Sequence, residues 1–274
     1  MEPKRRRNDN NRQGDRRISV SLMNLKLSGK TVIVTGGSSG IGAGICKAFA
    51  REKANILLNY RSQRQEAESF ALELRNKYGI DVLPVCADVT DPKAVEGLYQ
   101  QAKEHFSSLD VLVNNAAGNI CFKPFLDYSE EDWRSAHEGI CDHVFRMSQH
   151  FLRDCINESR EGRIINILSK SAFLSSSVNN LTYVTNKGAL AALTRGMAKE
   201  FIRYGVYVNG VVPGYVKTRA HMDGSERTKR VEKLLPLKEF AEPEEIGNVA
   251  VILASPLFRQ MIGAIVDCTG GTMI

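Results

Sequence analysis

Fold prediction for this chain starts from residues 30–42, which read KTVIVTGGSSGIG. The stretch opens with a short apolar run rich in β-branched residues, which is typical of a buried parallel strand. A glycine-rich turn at 35–42 follows, and residues 41–53 continue with helical periodicity. Such a turn lets the backbone approach a pyrophosphate, which the free N–H groups and positive dipole end of the helix attract. A tight turn that merely needs positive φ is the competing interpretation, but a position between strand and helix favours phosphate binding.

The rest of the chain alternates between apolar runs and segments of helical periodicity. Further strands are predicted at residues 55–60, 82–89, 110–116, 162–169, 206–214 and 263–271. Further helices are predicted at residues 65–79, 92–106, 133–155, 182–205 and 243–255. This alternation predicts an α/β fold: a single-domain, Rossmann-type doubly wound parallel sheet with helices on both faces, spanning residues 25–274.

Residues 1–24 differ from this pattern. They contain almost no apolar residue before Ile18, and the first seventeen hold seven basic and three acidic side chains, which is +4 of the chain's +6. This composition predicts a disordered basic tail. Binding of RNA or DNA would depend on the tail alone and would weaken strongly with salt. Because the other residues carry only +2, we expect no nucleic acid partner.

The bulk composition is that of a soluble globular protein, with 43% hydrophobic and 25% charged residues. No apolar run approaches the ~20 residues that span a bilayer. The six cysteines form no CxxC pair, and the five histidines show no metal-binding spacing such as HExxH. We therefore expect a cytoplasmic protein with reduced thiols, no metal and no membrane contact.

A tyrosine and a lysine stand out in NNLTYVTNKGAL, residues 179–190. Tyr183 lies four residues before Lys187, a spacing that stacks both side chains on one face of a helix. Tyrosine has a pKa of about 10, so acid–base chemistry at neutral pH requires that phenolate be favoured by ~4 kcal/mol. A nearby ammonium can supply part of that preference. An isolated pair of this kind is more often two surface residues, so the interpretation depends on the other motifs.

Four motifs together resemble the short-chain dehydrogenase/reductase superfamily. They occur in the expected order and on the expected elements: TGGSSGIG (35–42), NNAAG (114–118), YVTNK (183–187) and VVPGYVKT (211–218). The resemblance covers residues 25–274 and is nearest to the 3-oxoacyl reductases and sugar dehydrogenases. It implies hydride transfer between a nicotinamide cofactor and a carbonyl or alcohol group, in a homo-oligomer that is a tetramer or a dimer.

The resemblance also implies the catalytic residues. Tyr183 would protonate the carbonyl oxygen during reduction and take the proton back during alcohol oxidation. Lys187 would lower the pKa of Tyr183, together with a cationic nicotinamide ring, and bind the ribose. Ser169 would donate to the developing oxyanion. Ser169 precedes Tyr183 by one residue more than is usual in the family, which leaves Ser171 as the runner-up.

A larger departure from the family lies in the helix predicted at 133–155. The family usually has an asparagine there that supports a proton-relay water, and the aligned residue is Ile140. Its side chain cannot bond to a water, although the backbone carbonyl can. Asp142 and His143 are close in sequence but are expected to point elsewhere on the helix. The stripe Ala136, Ile140, Val144 is apolar, so simple packing is the alternative.

The family motifs imply a set of cofactor-binding residues, which includes Tyr183 and Lys187. The others are Gly36, Ser38, Ser39, Gly40, Ile41, Gly42, Arg61, Ser62, Asp88, Val89, Asn115, Ala116, Gly118, Pro213, Gly214, Val216 and Thr218. No acidic residue follows the second strand, where one would bind a ribose diol. Arg61 and Ser62 stand where a 2′-phosphate would bind, and Arg is the natural partner for it. We therefore expect NADP(H) rather than NAD(H), although Arg61 as a solvated surface residue remains the alternative.

The function predicted from these residues is an NADP(H)-dependent ketone reductase or alcohol dehydrogenase. A catalytically weak, NADP(H)-binding or scaffold member of the same fold is the second hypothesis, favoured by Ile140 and by the longer serine loop. The substrate, small or carrier-bound, is not identified by any motif. A lid is expected at 219–235, and its basic residues would attract an acidic carrier or form a solvated helix face; they are Arg227, Lys229, Arg230 and Lys233.

Overall fold

A computed structural model describes residues 23–118, 120–174, 178–219, 221–222 and 224–274, without the side chain of Arg227. The predicted basic tail therefore lies outside the described residues as far as residue 22. Within the described residues, seven parallel strands form one sheet in the order β3-β2-β1-β4-β5-β6-β7. No described helix is long and apolar enough to cross a membrane.

The strands lie where the apolar runs predict them. Their bounds are β1 Thr31–Val34, β2 Asn55–Tyr60, β3 Val82–Cys86, β4 Val111–Asn114, β5 Gly162–Ile167, β6 Val206–Pro213 and β7 Ile265–Cys268. Every residue of β1, β4, β5 and β6 is buried, because helices cover both faces of the sheet. Pro84 cannot donate a hydrogen bond, and it lies in the edge strand β3.

Eight α-helices accompany the strands in the described residues. Their bounds are α1 Gly40–Arg51, α2 Arg64–Tyr78, α3 Pro92–His105, α4 Glu130–His137, α5 His143–Asn157, α6 Leu181–Phe201, α7 Glu226–Leu234 and α8 Pro243–Ala254. One apolar cluster joins α1, α2 and α8 to the sheet, and a second joins α3, α5 and α6. The two clusters lie on opposite faces, so the predicted doubly wound parallel sheet is confirmed.

The helix predicted at 133–155 differs from the observed one. A π-helical turn, Glu138–Asp142, separates α4 from α5. The π turn adds one residue to the helical repeat, so the residues after it shift around the axis. Ala136, Ile140 and Val144 are all buried nonetheless. A hydrophobic pattern with period 3.6 does not reveal such an insertion, because the apolar stripe continues through it.

The strand order places a crevice at the carboxyl end of β1. This strand pairs with β2 on one side and β4 on the other. The chain therefore leaves the sheet in opposite directions from β1 and β4, and ligands of such sheets bind at this switch point. The glycine-rich turn lies here, between β1 and α1.

Helices α1 and α8 pack closely because glycines line their contact. A Cβ on Gly44 would lie 2.2 Å from the carbonyl carbon of Pro243, and one on Gly247 would lie 2.6 Å from the carbonyl oxygen of Gly44. Backbone atoms cannot give way as a flexible side chain can. The position of α1, and of the turn that precedes it, therefore depends on glycine, which has no side chain, at positions 44 and 247.

We predict that Gly44→Ala destabilises the protein by about 1–3 kcal/mol, because the added methyl overpacks the α1–α8 contact. The free energy of unfolding is measured by denaturant titration. Gly97→Ala in α3 is the matched control, because a Cβ there meets nothing within 4 Å. That variant should gain about 0.5–1 kcal/mol from helix propensity. Equal effects of the two substitutions would contradict the packing argument.

Candidate active site

Hydrogen bonds attach the glycine-rich turn to the end of β4. The Thr35 hydroxyl accepts from the backbone N–H groups of Asn115, at 2.9 Å, and Ala116, at 3.0 Å. The Asn115 amide donates to the carbonyl of Thr35 at 2.9 Å and of Gly36 at 3.2 Å. These bonds hold the turn open in one conformation, with its backbone facing the crevice.

A residue that the sequence analysis did not identify holds the other side of the turn. The Asn59 side chain accepts from the Gly36 N–H at 3.1 Å and donates to the Ala87 carbonyl at 2.9 Å. It thereby links the turn to the segment that follows β3. The signal in the sequence was an asparagine inside the predicted buried strand NILLNY, since a buried polar side chain needs partners.

The glycines of the turn have distinct roles. Gly36 and Gly40 have φ values of +62° and +53°, which favour glycine. A Cβ on Gly42 would lie 2.1 Å from the carbonyl oxygen of Gly36 and 2.7 Å from the Asn115 amide nitrogen. Gly42 therefore allows α1 to begin directly against the turn. Gly40 borders a neighbouring cavity rather than the main crevice.

The crevice is a cleft of about 460 Å³, within the size range of small-molecule and cofactor sites. Twelve of the residues expected from the motifs line it: Gly36, Ser38, Ser39, Ile41, Arg61, Ser62, Asp88, Val89, Asn115, Ala116, Gly118 and Thr218. Seven further lining residues were not identified from the sequence: Asn59, Tyr60, Gln63, Ala87, Thr90, Ala117 and Gly139.

Seven expected contacts do not line this cleft: Gly40, Gly42, Tyr183, Lys187, Pro213, Gly214 and Val216. Pro213 ends β6, and Gly214 packs on the backbone of Thr269, where a Cβ would lie 2.7 Å from the Thr269 carbonyl oxygen. The side chain of Val216 is buried in the core, and its backbone bridges to Ala241. Because its side chain is buried, Val216 has its backbone left to contact a ligand, and its role in cofactor binding stays a prediction.

Arg61 lies at the cleft entrance, facing Asp88. Its side chain is 60% exposed, and a terminal nitrogen lies 3.8 Å from a carboxylate oxygen of Asp88. Burial raises the pKa of the Asp88 carboxyl, but hydrogen bonds from the Thr90 backbone and hydroxyl, with the charge of Arg61, leave that pKa lowered. Asp88 is therefore a carboxylate at neutral pH, and Arg61 can turn toward an anion without leaving a buried acid unpaired.

Tyr183, Ser169 and Lys187 meet beside this cleft. The Ser169 side chain lies close enough to the Tyr183 hydroxyl to oppose the rise of the Tyr183 pKa. The Lys187 ammonium donates to the carbonyl of Ile167 at 2.8 Å and lies 5.9 Å from the centre of the Tyr183 ring. Ser169 and Ile167 come from the end of β5, whereas Tyr183 and Lys187 lie in the first two turns of α6. The arrangement combines a phenol, a hydroxyl and an ammonium, which are the groups needed to move a proton at a carbonyl oxygen.

The local backbone distinguishes Ser169 from Ser171. Ser169 caps a short 3₁₀ turn, Lys170–Ala172, and its hydroxyl accepts from the Ser171 N–H at 3.2 Å. The same hydroxyl contacts Tyr183. Ser171 therefore contributes its backbone to the position of Ser169, and the geometry favours Ser169 as the side chain that faces the phenol.

Burial opposes charge on both members of the pair. It raises the pKa of Tyr183, and the Ser169 side chain offsets part of that effect. It lowers the pKa of Lys187 to about 8. Among the residues of this chain, desolvation of the phenol sets the direction of the Tyr183 pKa shift.

His143 follows the π turn directly, and its imidazole is buried in the core, 0% exposed. Burial, and then the charge of Lys187, lower its pKa to about 4. The backbone of Glu138 and Ala116 opposes this shift, yet among the described residues neither ring nitrogen reaches a partner in hydrogen-bond geometry. A neutral imidazole therefore lies behind the cleft, near Lys187.

Comparison with known proteins agrees with this geometry. Residues 36–273 match the family model described as enoyl-(acyl carrier protein) reductase. Glucose 1-dehydrogenase 2 of Bacillus subtilis is 32% identical over 247 residues, which cover 89% of this chain and 95% of that protein. The 3-oxoacyl-(acyl-carrier-protein) reductase FabG of Aquifex aeolicus is 32% identical over 250 residues, which cover 91% and 99%. Both types of relative were expected from the motifs.

A solved structure shares the whole fold. L-sorbose reductase from Gluconobacter frateurii, complexed with NADPH and L-sorbose, superposes with a TM-score of 0.85 at 29% identity, covering 91% of this chain and 98% of that one. The sheet order, the glycine-rich turn, the joined Ser169, Tyr183 and Lys187, and these matches lead to one conclusion. The chain belongs to the short-chain dehydrogenase/reductase superfamily of oxidoreductases.

Proposed function

We propose that this protein transfers a hydride between NADP(H) and a carbonyl or alcohol substrate, with Tyr183 as the general acid and base. The observation that carries the proposal is the contact of the Tyr183 hydroxyl with Ser169, beside the buried Lys187 and the nucleotide-sized cleft. A homo-oligomer remains a prediction from the family resemblance.

The residues of the cleft fit a dinucleotide. The absent side chains of Gly36 and Gly42 keep the backbone of the turn open, and the N-terminus of α1 offers N–H groups to a pyrophosphate. NADP(H), when bound, supplies or accepts the hydride. The proposed contacts are the cleft residues above, with Gly40, Gly42, Pro213, Gly214 and the Val216 backbone at its margins, and Tyr183 and Lys187 at the ribose.

The proton chemistry follows from the three side chains. In reduction, the Tyr183 phenol gives its proton to the carbonyl oxygen, and the Ser169 hydroxyl donates a hydrogen bond to the charge that develops there. Alcohol oxidation reverses the transfer. Because burial raises the pKa of Tyr183, the neutral phenol predominates at neutral pH, which suits its role as an acid. Formation of phenolate needs positive charge, from Lys187 and from the oxidised cofactor ring.

Preference for NADP(H) is proposed from Arg61. Its guanidinium lies at the cleft entrance, mostly exposed, with Ser62 beside it. A guanidinium binds a 2′-phosphate through charge-assisted hydrogen bonds. The structural relative from Gluconobacter frateurii was solved with NADPH, which supports the same choice.

A catalytically weak, NADP(H)-binding or scaffold protein is the second candidate function. The observation that favours it is Ile140, which is 1% exposed and puts an apolar side chain where the family has its relay asparagine. The two candidates differ in turnover and agree on cofactor binding, so activity assays separate them.

We predict that Tyr183→Phe lowers kcat by at least about 10²-fold, because general acid catalysis is worth ~10²–10⁴. NADPH affinity, measured by fluorescence titration, should change little. Lys187→Ala should lower both kcat and NADPH affinity. The matched control is Tyr204→Phe, an exposed tyrosine after α6, which should keep full activity.

The substrates for this test are a panel of ketones and one enoyl thioester. If Tyr183→Phe kept more than about a tenth of the wild-type kcat, the assignment of Tyr183 would fail, since even the weakest expected effect is ~10²-fold. If NADPH were oxidised with the enoyl thioester and with none of the ketones, the proposed carbonyl reduction would be wrong, and reduction of a carbon–carbon double bond would replace it. No turnover with intact NADPH binding would favour the scaffold function.

A second prediction concerns Arg61. Arg61→Ala should weaken NADPH binding by about 10- to 150-fold, the equivalent of a charged hydrogen bond of ~1.5–3 kcal/mol, and should leave NADH binding almost unchanged. Dissociation constants for both cofactors are measured by fluorescence titration. Arg64→Ala provides the control, because Arg64 pairs with Glu68 on α2 and does not line the cleft. Equal losses for both cofactors would show that Arg61 does not recognise the 2′-phosphate.

A third prediction concerns Ile140. Ile140→Asn should lower the free energy of unfolding by about 1–3 kcal/mol, the cost of a buried amide without partners, and should not raise kcat. Ile140→Val is the control for side-chain volume, at ~0.5–1.5 kcal/mol. A clear rise in kcat at unchanged stability would instead mean that the relay geometry is intact and lacks only its amide.

A further inference from the structure

Lys170 directly follows Ser169 in the chain, so its Cα lies ~3.8 Å from that of the proposed catalytic serine. Its backbone is held in place by the 3₁₀ turn: the Lys170 carbonyl accepts from the N–H groups of Phe173, at 3.0 Å, and Leu174, at 2.9 Å. The side chain therefore starts from a fixed point at the carboxyl edge of β5, where substrates of this kind of sheet bind.

The ammonium of Lys170 rests on an aromatic ring. It lies 3.9 Å from the centre of Tyr215, which follows Gly214 just after β6. Phe240 stacks on Tyr215 with ring centres 5.8 Å apart, and His221 meets the Tyr215 ring edge at 5.4 Å. These neighbours restrict the Tyr215 ring, and a cation over a ring face is attracted to it. The position of the ammonium is thus set before any ligand binds.

The charge of Lys170 is not neutralised by the described residues. No described carboxylate lies within 4.0 Å of its ammonium. Other lysines of the chain do have such partners, as Lys123 has Asp132 at 2.6 Å and Lys217 has Glu242 at 2.5 Å. Lys187 adds a second ammonium to the same edge of the sheet. An anionic ligand group would therefore meet a positively charged edge.

We propose that Lys170, positioned by Tyr215, makes this enzyme prefer carbonyl substrates that carry a carboxylate or a similar anionic group. This inference rests on the proposed carbonyl reduction and adds the substrate class. A carboxylate accepts a charge-assisted hydrogen bond from the ammonium, while the carbonyl oxygen of the same molecule lies at Ser169 and Tyr183. Lys170 binds the substrate and takes no part in proton transfer.

The test compares oxo acids with their methyl esters, which lack the charge. Acetoacetate and 4-oxopentanoate, each paired with its methyl ester, vary the separation of the carbonyl from the carboxylate. The measured quantity is the ratio of kcat/KM for acid to kcat/KM for ester, with NADPH. Lys170→Met should lower this ratio about 10- to 100-fold, as expected for loss of a charged hydrogen bond. Lys170→Arg, which keeps the charge, should retain most of the ratio.

Lys199→Met is the matched control, since Lys199 is an exposed lysine three turns beyond Lys187 on α6. It should leave the ratio unchanged. Raising the salt concentration should lower the ratio in the wild type and not in Lys170→Met, because salt screens exposed charges. A ratio that is the same in wild type and Lys170→Met for both pairs would overturn the proposal.

Binding calorimetry separates this proposal from the proposed function. The NADPH complexes of Tyr183→Phe and of the Lys170→Met, Tyr183→Phe double variant are titrated with 4-oxopentanoate and its methyl ester. Tighter binding of the acid, lost in the double variant, supports the role of Lys170 even if no substrate is turned over. If the wild type turned over no substrate but still bound the acid more tightly than the ester, the result would count against the proposed function and not against the role of Lys170. Equal affinities for acid and ester would overturn the role of Lys170.

Discussion

Three segments of the chain meet at the carboxyl end of β1, and the proposed cofactor site depends on how closely they approach. A single Cβ on Gly42, the third residue of α1, would collide with both the carbonyl of Gly36 and the side-chain amide of Asn115. Because β2 and β4 flank β1 on opposite sides, the chain opens a crevice at this point. The contact between α1 and α8, which is itself made through glycines, holds the helix that closes the turn.

Burial sets the electrostatics of Tyr183 and Lys187, the proposed catalytic pair. Lys187 is almost wholly buried and has one protein partner among the described residues, the Ile167 carbonyl at 2.8 Å. Removal from water favours the neutral forms of both Lys187 and Tyr183, lowering one pKa and raising the other. A protein with these two residues alone would hold a neutral phenol. In the proposed mechanism, deprotonation of Tyr183 is thereby linked to the charge that a cofactor brings.

The π turn connects the cofactor cleft to the core behind it. It brings Gly139 into the cleft wall and buries Ile140 and His143 behind it. A buried imidazole whose nitrogens have no hydrogen-bond partner in the described part of the chain is a costly feature, and its low pKa of about 4 keeps a further positive charge away from Lys187. On the substrate side, the Tyr215, Phe240 and Lys170 stack forms a second rigid surface.

Most of the fold follows from local sequence patterns. Apolar, β-branched runs specify buried parallel strands, and the glycine-rich turn and the spacing of Tyr183 and Lys187 are legible because each lies within one element. Local patterns did not predict the π turn, the linking role of Asn59 or the burial of His143, because each depends on atoms far apart in the chain.

Lys170 and Tyr215 are 45 positions apart, and the parallel order of β5 and β6 brings them together. The assignment of Ser169 rather than Ser171 as the side chain that faces Tyr183 depends on the 3₁₀ turn Lys170–Ala172. Hydrophobic periodicity in the sequence predicts which residues are buried. The hydrogen-bond partner of a buried polar group depends on long-range packing, because only the folded chain brings donor and acceptor within hydrogen-bond distance.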